Sequence, residues 1–417
     1  MAGLAGRCLR PEAGGIQRFC GRARELLVSC GGGVGVRPIN PFNPYFPAQE
    51  ALFANRRREQ SLFRRGLDAT VAPGSPGPWN VAVVGPWGIG KTSLLRRFAG
   101  MARTAAPTVG VVSLTVTSSL RSFDGFVAFL LDRTREQLRG QTRWSEPVQR
   151  ELARWEPAVH LGPLSAARRS DPPSLGAATL YSELRRLWRS HAAHNLAAVA
   201  FFLDDIHNLL AVDPGLLLTI RAIFQDLQGD GAVFPLVVTG SEDMFEAARD
   251  VAEPVTRFFE RVPLGPFSVE DTAAAVRDPL EAVHHDLRVE EDAVPWIWER
   301  AGGYPYFVAF IMREAVDVAV DGGYGRIDGR LLEREWPAIA RQMAVEKFSV
   351  EWNSATAAEK DALRAVVSGA PLADAVGRSG AALASRLVRK GLLVRLGRGA
   401  YSAYHPLFAE YVRGAVE

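Results

Sequence analysis

Lysine is almost missing from this chain. Of its 49 basic residues only Lys91, Lys347, Lys360 and Lys390 are lysines, and the other 45 are arginines. With abundant alanine, glycine and valine, this reads as a GC-rich coding bias of bacterial type, and it makes Lys91 stand out. Cysteine is scarce as well. Cys8, Cys20 and Cys30 fall within the first 30 residues, their spacing matches no zinc pattern, and an odd count is no disulfide framework. A reduced, cytoplasmic chain is the expectation. No apolar run approaches 18 residues, which excludes a membrane-spanning helix, and the N-terminus has no continuous apolar segment of signal-peptide type. Neither sign of charge dominates: 49 basic residues face 46 acidic ones, for a net +3. That balance excludes a nucleic-acid coat over the whole chain. No catalytic His/Cys pair and no metal-ligating cluster is visible.

What is present suggests two to four domains in 417 residues, with 47% hydrophobic residues to build their cores. Residues 1–40 are rich in Gly, Arg and Cys and carry six arginines against two glutamates. They are expected to form a disordered tail or to precede a true start near Val34 or Val36; the other reading is a basic arm that binds a partner. Patterned sequence begins at Arg37-Pro-Ile-Asn-Pro-Phe-Asn-Pro-Tyr-Phe. A helix is expected over about Gln49–Asp68. Short apolar strands at Asn80–Val84, Val109–Val116, Leu196–Leu203, Phe234–Thr239 and Val262–Leu264 alternate with helical segments. That alternation predicts an α/β fold with a five-stranded parallel sheet covered on both faces. Residues 140–178 are polar and interrupt the pattern. From Ser268 to about Lys347 everything reads as helix. The expected domains are an α/β core at 41–266, a helical unit at 267–347 and a third unit at 348–417.

Residues 85–92, Gly85-Pro86-Trp87-Gly88-Ile89-Gly90-Lys91-Thr92, fit the phosphate-loop pattern G-x-x-x-x-G-K-[ST], with Ser93 following. Backbone N–H groups must face the phosphates there, so side chains must be absent where backbone meets anion. The helix after the loop points its positive dipole end at the same place. Lys91 would reach the β and γ oxygens, and the Thr92 hydroxyl would ligate Mg²⁺. A second apolar strand ends in Asp204 and Asp205. The parallel sheet would deliver both to its C-terminal edge, Asp204 to hold Mg²⁺ through water and Asp205 to polarise the attacking water. Aspartate is shorter than glutamate there, which suits slow hydrolysis.

These motifs together resemble an AAA+ P-loop ATPase, within it the archaeal-type, origin-recognition-like and signal-transduction (STAND) branch. Phe53-Ala-Asn-Arg-Arg-Arg-Glu is similar to that branch's F-x-G-R-x-x-E segment, which implies Arg56 near the adenine. Asn55 stands where the family has glycine, and asparagine is the next most tolerant residue of positive φ. Leu203-Asp-Asp-Ile-His resembles the D-D-x-H segment of STAND proteins, which makes His207 a structural or supporting residue. The resemblance further implies a sensor at Thr239 or Ser241, arginine fingers at Arg257 and Arg261 offered to a neighbouring subunit, and a lid motif at Gly303-Tyr-Pro305. Arg313 is a candidate second sensor or a surface arginine.

The last unit reads as a winged helix. Thr356-Ala-Ala-Glu359 is a capping box, and a hairpin is expected across Gly397-Arg-Gly399. From Arg378 to Arg398 there are six basic residues and no acidic one. Arg386, Arg389, Lys390, Arg395 and Arg398 are therefore candidate duplex-DNA contacts; packing on the lid or binding a protein is the other reading. The function classes that follow are a STAND-type ATP switch, a DNA-binding initiator-like or transposition-helper ATPase, and, third, a P-loop kinase. The expected ligands are ATP and Mg²⁺. The expected partners are a second copy of the chain and either duplex DNA or a protein.

Overall fold

The computed structural model describes residues 38–75, 77–105, 109–120, 122–141, 146, 150, 155, 175–192, 196–210, 212–213, 215–241, 244, 255–397 and 399–415. The chain divides into Met1–Ile39 and Asn40–Glu417, and apart from Pro38 and Ile39 every described residue lies in the second unit. The expectations for residues 1–35, most of 140–178 and Arg398 fall outside the described residues.

Five parallel strands, β1 (Val81–Val84), β2 (Val109–Thr115), β3 (Ala198–Asp204), β4 (Leu236–Gly240) and β5 (Glu260–Pro263), form one sheet in the order β2-β3-β4-β1-β5. The strands alternate faces residue by residue. On β3, Ala198, Ala200 and Phe202 join one core with Phe63 and Phe98, while Val199, Phe201 and Leu203 join a second with Phe224, Phe234 and Leu130. Both faces of the sheet are thus apolar, which is why these strands read as continuous hydrophobic runs. The order brings β1 and β3 to either side of β4, so the loop after β1 and the acids at the end of β3 share one edge.

The helix expected from Gln49 is broken. A short 3₁₀ turn spans Glu50–Leu52 and the helix proper is Arg57–Val71. Asn55 and Arg56 between them have φ of 70° and 55°, a left-handed step that no α-helix accommodates. Asn55 therefore does adopt the conformation for which the motif usually carries glycine.

The 269–343 region holds four helices, Val269–Ala282, Ala293–Ala301, Pro305–Asp321 and Gly329–Met343. Their starts are set locally: Ser268 and Asp271 form a capping box, Asp328 caps the last helix, and Pro305 occupies the first turn of its helix. One correction applies here. The region is not wholly helical, because Arg288–Val289 and Arg326–Ile327 pair as a two-residue parallel ladder. Two-residue strands are too short to carry a periodic signal.

After a π-helical turn (Ala344–Phe348) come helices Ser349–Ser354, Ala357–Ser368, Leu372–Val376 and Gly380–Arg389. A hairpin of Leu393–Gly397 and Ala400–Ala403 and a last helix, Pro406–Gly414, complete the chain. This succession fits the expected winged helix. One continuous core joins it to the preceding helices: Val276, Phe307, Phe310, Ile339, Phe348, Leu387, Phe408 and Val412 belong to the same cluster. Among the described residues no helix is long and apolar enough to cross a membrane.

Candidate functional site

β1 runs straight into the glycine-rich loop. Gly88 and Gly90 have φ of 77° and 92°, in the left-handed region where a side chain is strained. A Cβ on Gly88 would also come within 3.2 Å of Tyr306 Cβ. The helix Lys91–Thr104 starts at the end of the loop. Lys91 Nζ lies within the loop, donating to Gly85 O at 2.8 Å and Pro86 O at 2.9 Å. Ile89 is fully buried and anchors the loop to the core shared with Phe63 and Phe98.

The acids of β3 are organised by β4. Thr239 is fully buried and donates its hydroxyl to Asp204 Oδ1 at 2.5 Å. The same Oγ1 accepts the Asp205 backbone N–H at 2.8 Å. Asp205 takes a φ of 54°, which turns its side chain out of the strand direction. Burial, and then the Asp204 charge, raise the Asp205 pKa; His207 and Lys91 oppose the rise. His207 Nδ1 lies 3.9 Å from Asp205 Oδ1. Ser241, half-buried, follows β4.

A cavity of about 520 Å³ opens over this edge. Its lining combines Lys91, Thr92 and Asp205 with Phe42, Pro44, Tyr45, Phe46 and Phe53, and with Pro279, Pro305 and Val308 from the helical region. The volume is ordinary for a cofactor site. The mixture of aromatic and apolar side chains with a lysine, a hydroxyl and a carboxylate suits a nucleoside phosphate. The oxygen donors on the cavity wall, the Thr92 hydroxyl and the Asp205 carboxylate, with Asp204 buried behind them, suit a divalent cation that keeps most of its waters. Among the described residues no group of three or more His, Cys, Asp or Glu could hold a metal alone.

Residues 40–48 strap this cavity to both halves. Asn40 Nδ2 donates to Arg313 O at 2.9 Å, Arg313 donates to the Tyr45 hydroxyl, and Ala48 N–H donates to Ser93 Oγ at 3.1 Å. Arg56 Nη2 donates to Gly265 O at 2.8 Å and Ile89 O at 3.3 Å, with its guanidinium 4.8 Å from the Phe267 ring centre. Burial lowers its pKa. Arg56 thus fastens the loop to the entry of the helical region.

The profile of the AAA ATPase domain family matches residues 53–238, from the Arg56 segment through the loop and both acids to β4. Over those residues the chain carries an AAA ATPase domain. No curated protein sequence matches it. Among solved structures it is similar to the Walker-type ATPase PABY2304 of Pyrococcus abyssi, at 17% identity and a TM-score of 0.52, over 86% of this chain and 95% of that one. It is also similar to the Aeropyrum pernix ORC2 protein, at 14% identity and a TM-score of 0.54, over 87% and 93%. At such identities the likeness is one of fold: an origin-recognition-like AAA+ architecture extending well beyond the matched domain.

Within the AAA+ frame the remaining expected residues are dispersed. Pro305 approaches the loop, 3.8 Å from where a Cβ on Gly90 would stand. Arg257 and Arg261 are exposed near and on β5, and neither lines the cavity. Arg313 serves the strap and lies 3.2 Å from Glu314, so it is engaged at the aromatic end. In the last unit Lys390 Nζ bonds Glu359 Oε2 at 2.7 Å and Ser354 O at 2.9 Å, and Arg386 lies 3.7 Å from Glu359 Oε1. Glu359, almost fully buried, is held well below the usual carboxylate range by Lys390 and the Thr356 N–H. Arg389 and Arg395 are exposed, and Arg395 stacks on Tyr401.

Sequence reasoning missed the strap, Phe267 and Lys347. The run of Asn, Pro and aromatic residues at 40–46 was the available signal for the strap. The rarity of lysine was the signal for Lys347.

Proposed function

We propose that this chain is an ATP-binding, slowly hydrolysing switch whose nucleotide state is passed from the core (41–266) through the lid (267–347) to the winged helix (348–417). The observation that carries the reading is the Thr239 hydroxyl joining Asp204 to Asp205 beside the Lys91 loop. In this reading the loop amides and Lys91 bind the phosphates, and the strap and Phe53 enclose the base. Thr92 and Asp204 would hold Mg²⁺, which when bound neutralises charge on the phosphates. Asp205, its carboxylate made more basic by burial, orients water and accepts its proton. Thr239 keeps both acids in place, the sensor role, with Ser241 beside it. Arg257 and Arg261, exposed and outside the cavity, would complete the site of a second copy.

Duplex DNA is the partner favoured by one observation, the exposure of Arg389 and Arg395 on the helix and hairpin of the last unit. Arg386 and Lys390 are neutralised in part by Glu359, so the phosphate contacts would fall mainly on the other two.

The test measures Mg-ATP binding, hydrolysis and mass by light scattering, with and without duplex DNA, for the wild type and Lys91→Ala. Saturable binding and slow turnover lost in Lys91→Ala support the switch, and a wild type that binds no nucleotide sinks it. Duplex binding weakened by Arg389→Ala with Arg395→Ala supports the DNA reading; ATP-dependent oligomers indifferent to DNA overturn it.

A further inference from the structure

Trp87 places a large aromatic side chain in a loop that must present backbone to phosphate. Its indole is 42% exposed and lines the nucleotide cavity. The Lys347 ammonium sits 3.0 Å from the centre of that ring. Lys347 itself does not line the cavity, so it reaches the site only through Trp87. Its Nζ also pairs with Glu351 Oε1 at 2.6 Å, and Glu351 Oε2 accepts the Tyr404 hydroxyl at 2.8 Å. The edges close up around the indole: Tyr306 stands 4.6 Å away at 63°, and Tyr404 6.4 Å away at 84°. Tyr306 N–H donates to Gly88 O at 3.1 Å, the residue after Trp87. One cluster thus joins the phosphate loop, the lid helix Pro305–Asp321 and the end of the hairpin.

The backbone is bent to build it. Lys347 lies in the π-helical turn Ala344–Phe348, where Ser349 N–H bonds Ala344 O, five residues back. Such turns recur at functional sites. This one lets Phe348 enter the core against Phe307 and Phe408 while its neighbour Lys347 faces the loop. The lysine side chain is only 14% exposed. A cation shielded from water binds an aromatic face several-fold more strongly than an exposed one. In a chain that writes nearly every cation as arginine, this lysine stands out, its ammonium held between a ring face and the Glu351 carboxylate.

We propose that Trp87 and Lys347 are positioning residues of the nucleotide site, a cation–π latch that slows nucleotide release and fastens the phosphate loop to the winged helix. The proposal rests on the nucleotide-switch reading above. The latch acts through the loop backbone: with Trp87 held, the loop and the Tyr306 turn stay closed over the phosphates, and the hairpin end stays docked.

Stopped-flow release of fluorescent N-methylanthraniloyl-ADP from the full chain tests it, using Lys347→Met, Trp87→Leu, the double variant and Lys347→Arg. Each of the first two is expected to speed release about tenfold. The double variant is expected to be no faster than either, and Lys347→Arg to restore slow release. Unchanged release in the single variants overturns the latch, as does a double variant whose effects add. Hydrogen exchange over residues 400–414, measured without nucleotide, reads the hairpin link separately. Faster exchange in Lys347→Met supports it, and unchanged exchange overturns it. A wild type that binds no nucleotide defeats the switch reading, whereas a wild type that binds and a Lys347→Met that releases at the same rate defeats the latch alone.

Discussion

The sheet half and the helical half of this chain are built on opposite plans. The sheet separates two cores, and its chemistry sits at strand ends, each acid or loop residue delivered by the element just before it. The helical half has one core that runs from the helix Val269–Ala282 through the last helix, and its contacts to the site come from residues far apart in sequence. Tyr306, Lys347 and Tyr404 meet at Trp87 from three separate elements. Local delivery makes chemistry robust to changes elsewhere. A shared core ties the helices of 269–343 to those of 349–414.

The largest effects should follow from breaking the sheet half. Lys91→Ala is expected to abolish detectable nucleotide binding by titration calorimetry. Asp205→Asn should retain binding and lose hydrolysis by about two to three orders of magnitude, with an unchanged melting temperature. A loss of binding in Asp205→Asn would show that the acid acts on affinity.

Next in size is the shared core. Phe307 is fully buried and touches Phe348, His405 and Tyr404. Phe307→Ala should cost about 3–5 kcal/mol, and hydrogen exchange should quicken together in the helices Gly329–Met343 and Pro406–Gly414. Exchange confined to one of them would divide the half in two.

His405 sharpens the comparison through pH. It is fully buried between the helix Ala293–Ala301 and the last helix, donating from Nε2 to Ala301 O at 2.9 Å and accepting at Nδ1 from Leu407 N–H at 3.2 Å. Both nitrogens are satisfied only in the neutral ring, and burial pushes its pKa down to about 4. The unfolded chain takes up the proton below about pH 6.5 and the folded one only near 4. Stability is therefore lost as pH falls through that window, by about 3 kcal/mol in all, and is level below it. His405→Asn keeps the helix cap and should flatten this part of the profile in denaturant titrations at several pH values. An unchanged profile would place the titration elsewhere.

The smallest effect belongs to Glu359. Glu359→Ala removes half of a capping box, costing about 1 kcal/mol, and releases Lys390 and Arg386. If the last unit meets duplex DNA, as proposed, affinity in low salt should rise.

Much of the sheet half was legible because its rules are local. A four-residue apolar run, a glycine loop and Lys91 are adjacent in sequence, and the fold family matched over 53–238 covers these same signals. The capping boxes at Ser268 and Thr356 are equally local. The break before Arg57 was half-legible: Asn55 signalled a left-handed step, but continuity of pattern hid that Arg56 shares it. The assignments of Lys390 and Arg386 followed from helix position, yet their pairing with Glu359 depends on how two helices cross.

By itself the sequence determined the phosphate loop, the acid-tipped strand, the parallel sheet and the capped helices, because hydrogen-bond patterns and φ preferences act over a few residues. Only the tertiary structure decided that Thr239 stands between the two acids and that the strap closes the aromatic end. It alone brought a rare lysine onto the loop tryptophan. Those contacts depend on strand order and on a core shared across 140 or so residues, roughly Val276 to Val412, and no local preference encodes such distances.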